Sequence, residues 1–147
     1  MESKSANYAQ FFLRIALAFS FLSATADRFG FWGKSGESGV SWGNWQNFVN
    51  YSNTLNFFVP ASIGEVLAII ATALEIILAL FLLLGFKTKF AAIISGLLLT
   101  AFAFLMSISV GIKAPFDYSV WTGAAACFLL SIFNNYKYSI DSLLKNR

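Results

Sequence analysis

Five ionisable residues lie within long apolar runs or at their ends, and any chemistry of this chain has to be sought there: Arg14, Asp27, Arg28, Glu65 and Glu75. An ionised side chain at the centre of a membrane helix costs at least ~2.5–3.5 kcal/mol on insertion scales. Such groups turn to a protein interior and find partners. Each is then a candidate for ligand binding, proton transfer or a register-setting ion pair. With ~1.5 Å of rise per helical residue, Arg14 sits roughly 9 Å and Glu75 roughly 15 Å from one membrane boundary, a gap an arginine stem can close. The same count places Asp27, Arg28 and Glu65 roughly 28–30 Å in, at the opposite boundary. The sequence therefore predicts an inner charge group, Arg14 with Glu75, and an outer one, Asp27, Arg28 and Glu65, whose long side chains can snorkel into the interface. Glu65 and Glu75 are about 100° off a common helical face and need not serve one site.

Two readings of Glu75 stand side by side. In one it is a ligand-binding or proton-carrying carboxyl. In the other it is a buried partner that fixes helix register. What the chain lacks narrows the chemistry further. There is no histidine, so the usual haem and zinc ligand, proton shuttle and activating base are missing. The single cysteine, Cys127, cannot form a disulfide within the chain. Carboxylate metal sites in bundles pair Glu with Glu-x-x-His, and that histidine is absent too, so no metal site is expected.

The elements that must carry these charges are apolar helices. Of the 147 residues, 58% are hydrophobic and 12% charged, where a soluble domain carries about 25% charged residues. Seventeen Phe and four Trp cannot all be hidden in one small water-soluble core. Four runs, 8–29, 60–85, 90–112 and 116–134, approach the ~20 residues that span a ~30 Å hydrocarbon layer. Ala24-Thr25-Ala26 has the look of a cleavage site, but the apolar run begins ahead of Arg14, which favours a span over a signal peptide. The reading is one domain, an all-α bundle of four transmembrane helices. Four spans bring both termini to one side, with Lys4, Arg14, Lys87, Lys89, Lys137, Lys145 and Arg147. Arg28, Lys34 and Lys113 fall on the other. The excess marks the first side as cytoplasmic and explains the net charge of +3 without nucleic acid.

The outer loop, 30–59, starts flexible, with Gly30, Gly33, Gly36 and Gly39 among serines. Trp42, Trp45, Phe48 and Val49 then share one helical face. They fit either an aromatic belt at the headgroups or an amphipathic helix folded over the bundle as a lid. Trp121 opens the fourth run as a belt residue, or as an aromatic flanking a quinone ring. Gly96, Gly123 and Ala124–Ala126 let helices approach closely.

These residues resemble a known family. The first run reads Leu13-Arg14-Ile15-Ala16-Leu17, then Phe21-Leu22, then Asp27-Arg28-Phe29-Gly30. The second has Glu75 before Leu80-Phe81-Leu82-Leu83-Leu84-Gly85, and Thr88-Lys89-Phe90-Ala91-Ala92 follows. This pattern is similar to the DoxX family of small four-helix membrane proteins. The resemblance implies a four-helix bundle and a role beside redox enzymes, since founding members are subunits linked to a quinol oxidase and to thiosulfate:quinone oxidation. The long aromatic loop departs from the family pattern, as does the absence of the first-helix histidine that many relatives carry. The leading expectation is a non-catalytic subunit of a larger membrane complex, with a quinone beside Arg14, Glu75 and aromatics and no redox centre of its own. A small proton-coupled transporter using Glu75 and a membrane scaffold are the alternatives. The expected setting is the inner membrane, with the bilayer and either a protein partner or a second copy as neighbours.

Overall fold

The computed structural model describes residues 4–145, and every regular element among them is a helix. In chain order these are α1 Lys4–Arg28, α2 Trp45–Leu55, α3 Ala61–Leu84, α4 Thr88–Ser109, α5 Lys113–Asp117, α6 Val120–Ser131 and α7 Ile140–Lys145. Arg147, counted among the charges of one side, lies outside the described residues.

Three helices, α1, α3 and α4, are long and apolar enough to cross a bilayer. Their sidedness is the reverse of a water-soluble helix. On α3 the buried stripe is Gly64, Ala68, Thr72, Glu75, Leu78, Ala79 and Leu82, a three-four spacing of mostly small or polar residues. Its exposed face carries Ile63, Val66, Ile69, Ile70 and Ile77. On α1 the buried stripe runs Gln10, Arg14, Leu17, Ala18, Phe21, Thr25 and Arg28, while Phe12 and Phe19 face outward. Lipid tails solvate the large apolar faces, and small inward residues let backbones pack closely, so this is the arrangement a bilayer stabilises. The core joins Leu17, Ala18 and Phe21 to Leu78, Ala79 and Leu82, with Ala91, Ala92, Cys127 and Leu130. At Gly96 a Cβ would lie 2.8 Å from the Phe128 ring, so glycine sets how closely α4 meets α6.

The fourth run is not one helix. α5 stops at Asp117, Ser119 turns left-handed at φ 55°, and α6 adds only 12 residues. That is roughly 18 Å of helix, short of the ~30 Å hydrocarbon layer. Pro115, in the first turn of α5, has no N–H for a longer helix to use, and the left-handed Ser119 breaks the α5–α6 path.

The link from α3 to α4 is set by local chemistry. Gly85 adopts the left-handed conformation at φ 65°. Its N–H donates to the Leu82 carbonyl, and the Phe86 N–H reaches the Phe81 carbonyl. The Phe81 and Phe86 rings meet edge to face at 5.2 Å. Together these form a Schellman ending with its hydrophobic contact. The C-terminal segment folds back on this corner. Tyr138 packs edge-on against Phe11 of α1, so the first half of α1 and the C-terminal segment lie at the same end of the bundle.

Candidate functional site

Arg28 is the last residue of α1 and 3% exposed, and Glu75, in the middle of α3, is 2% exposed. Arg28 Nη2 and Glu75 Oε2 are 2.6 Å apart. Arg28 Nη1 donates to Thr72 Oγ1 at 2.7 Å, and the Thr72 hydroxyl donates to the Ala68 carbonyl, one turn back. Thr72 and Glu75 are three residues apart on the inward stripe of α3, so one guanidinium engages both.

Over this pair lies a cap formed by residues 41–55. The Phe48 ring centre is 3.9 Å from the Arg28 guanidinium carbon, and Trp42 is at 5.5 Å. Trp42 and Phe48 meet edge to face at 5.1 Å. Phe48 and Val49 are buried against Ala68 of α3, with Trp42 and Trp45 packed around them. A guanidinium sandwiched between a carboxylate and aromatic faces combines ionic and cation–π attraction where water is excluded.

Asp27 attaches the chain leading into the cap. Its Oδ2 accepts from the N–H of Ser41 at 2.8 Å and of Trp42 at 3.2 Å, and its Oδ1 accepts from Gly43 at 3.2 Å. Gly43 is left-handed at φ 69°, and a Cβ there would lie 2.4 Å from the Ser35 nitrogen, so the close turn requires glycine. Asn44 then caps α2, its side chain accepting from the Asn47 N–H. Adjacent residues thus divide the work: Asp27 holds the loop backbone while Arg28 holds the aromatic side chains.

The expected grouping of charges is corrected here. Arg14 and Glu75 do not pair. Arg14 is fully buried, and its guanidinium donates to the carbonyls of Lys137 and Tyr138. Gln10, one turn earlier, also donates to the Lys137 carbonyl. Arg28 does not snorkel outward, and Glu65 lies exposed on α3 away from the Arg28–Glu75 contact. Trp121 is not part of the cap either; it meets Phe104 of α4 edge to face. Trp42, Trp45 and Phe48 do come together, although Trp42 precedes the helix.

Two interactions were not anticipated. Asp141 accepts the N–H of Lys87 and of Thr88, both at 2.7 Å, and so caps α4, which has no capping side chain of its own. An open groove of about 570 Å³ runs beside Asp27 along the outer face of α1, lined by Ala16, Ser20, Ser23 and Ala24 and overhung by Trp32 and Trp42. The Trp32 indole N–H donates to the Ser23 carbonyl at its edge. Among the described residues no group of Cys, Asp and Glu is placed to hold a metal.

The fold and this interior define a helical membrane protein in which a buried Arg28–Glu75 ion pair lies beneath an aromatic cap. The DoxX family profile matches residues 9–108, from the first helix through nearly all of α4, and the chain belongs to the DoxX family. No curated protein and no solved structure matches it.

Proposed function

We propose that this chain is a non-catalytic subunit of a larger, quinone-linked membrane complex, and that it works by presenting a folded outer cap and the adjoining α1 groove to a partner. The carrying observation is the Arg28–Glu75 pair closed under Trp42 and Phe48. Both charges are engaged and water is kept from them, which suits a latch better than a carboxyl that must load and release protons. A proton-coupled carrier is correspondingly disfavoured. The open surface lies next door, where small α1 residues meet Trp32 and Trp42. Small residues on a lipid-facing helix are the usual means of close approach for another helix. Any redox centre belongs to that partner or to a quinone between them, since Cys127 is the only thiol and histidine is absent.

On this reading α5 and α6 complete a fourth crossing in two pieces, the bilayer is the inner membrane, and both termini are cytoplasmic. The cap then stands on the outer side. The excess of Lys near the shared end of the chain supports that orientation.

The experiment is native mass spectrometry of the detergent-purified protein, with extraction of whatever stays bound. A stoichiometric protein partner lost on Ser23→Trp, which fills the groove, and weakened by Glu75→Gln is the expected result. Glu75-dependent flux in proteoliposomes of the chain alone would overturn it in favour of a carrier.

A further inference from the structure

A second groove, of about 570 Å³, opens at the end of the bundle where the α3–α4 turn meets the C-terminal segment. Phe81, Phe90 and Phe133 wall it, and Lys87 and Lys89 stand on its lining. Both lysines are exposed, and neither has an ion-pair partner among the described residues. Lys87 is held in the left-handed conformation, at φ 46°, by the turn that starts α4.

The acidic group here is Asp141, and its two oxygens are occupied by the N–H groups of Lys87 and Thr88. Two cations against one carboxylate leave the groove positive. Thr88 also lines it, fully buried, and its hydroxyl has no hydrogen-bond partner within the described residues. The groove also has an apolar exit, because Phe90 is 60% exposed on the face that α4 turns away from the bundle.

We propose that this groove binds the phosphate head group of an anionic phospholipid. Lys87 and Lys89 neutralise the phosphate, and the acyl chains leave along Phe90 and Phe133. The aromatic walls and the lipid-side exit favour a lipid over a free anion, because a soluble phosphate gains nothing from them.

The test is native mass spectrometry of the full chain in detergent, titrated with phosphatidylglycerol and, in parallel, phosphatidylcholine. Phosphatidylglycerol should be retained and phosphatidylcholine released. The Lys87→Gln/Lys89→Gln variant should bind phosphatidylglycerol about ten-fold more weakly, since each lysine near a lipid surface contributes a several-fold factor. Lys89→Gln alone should fall between, a safeguard if the double variant is poorly folded. Lys137→Gln/Lys145→Gln removes equal charge at the same end but outside the groove, and should bind as the parent does. Equal retention by the groove variants, equal loss in the control variant, or equal retention of phosphatidylcholine would each overturn the proposal. Displacement of bound phosphatidylglycerol by millimolar inorganic phosphate would reassign the groove to a free anion and overturn the lipid.

Discussion

Arg28 and Glu75 approach to 2.6 Å because their side chains lean toward each other along antiparallel helices. Helical side chains tilt toward the N-terminus of their own helix. On α1 that lean carries Arg28 back into the bundle. On α3 it carries Glu75 outward, toward Arg28. Arg14 leans the other way, to the end of the bundle, where the carbonyls of Lys137 and Tyr138 receive it.

Removing one member of a buried pair leaves the other charge uncompensated. Arg28→Met should therefore destabilise the protein by ~3–5 kcal/mol, whereas replacing both members by apolar residues is often neutral. Thermal unfolding in detergent should rank Arg28→Met/Glu75→Met above Arg28→Met. A double variant less stable than the single would show that the two residues act independently.

Asp27→Asn tests the attachment of the loop. The carboxylate accepts three backbone N–H groups. An amide keeps one acceptor and no charge, and charge-assisted bonds are worth ~1.5–3 kcal/mol. Proteolytic cleavage within residues 31–41 should accelerate while far-ultraviolet circular dichroism stays unchanged. Unchanged cleavage would mean that the aromatic contacts alone hold the segment.

Gly85→Ala should be disruptive at the opposite end. A Cβ there would lie 2.3 Å from Ser139 Cβ and 2.9 Å from its Cα, in a conformation that costs an L-residue roughly 1–2 kcal/mol. The melting temperature should fall and the C-terminal segment should become protease-sensitive. Asp141→Ala should do the same more mildly, by ~1 kcal/mol, as loss of a helix cap.

The cap also carries a pH signature. Burial, and then the neighbouring Tyr118, raise the Tyr51 phenol above its ordinary value of 10.0. Below pH 10 both folded and unfolded states hold the proton, and stability is insensitive to this group. As pH rises past 10 the unfolded chain releases its proton first, so stability falls until the folded phenol also ionises. Tyr51→Phe should flatten that alkaline decline in a melting series. An unchanged decline would assign it elsewhere.

Much of the architecture was legible in the sequence. The three long runs mark α1, α3 and α4 to within a few residues, because apolar length is what a bilayer demands. Gly85 marks the end of α3. The one-sided pattern of Trp45, Phe48 and Val49 marks α2. The partner of Glu75 was not legible from a count of rise per residue, since such a ruler tracks Cα positions and ignores the opposed lean of two side chains. An earlier signal was available in α1 itself, where Arg14 and Arg28 share one inward stripe at three-four spacing and both must find acceptors inside. The left-handed turn at Ser119 leaves no mark in an apolar run, and the docking of residues 134–145 depends on tertiary contacts that carry no periodicity. Asp141 was missed for that reason, although α4 begins at Thr88 with no capping side chain in front of it.

The central claim is that the Arg28–Glu75 pair holds the cap closed. Hydrogen–deuterium exchange of Glu75→Gln beside the parent protein, in the same detergent, tests it most directly. The account predicts that backbone amides of 41–55 lose protection while those of α3 and α4 keep it. Unchanged protection across 41–55 would contradict it.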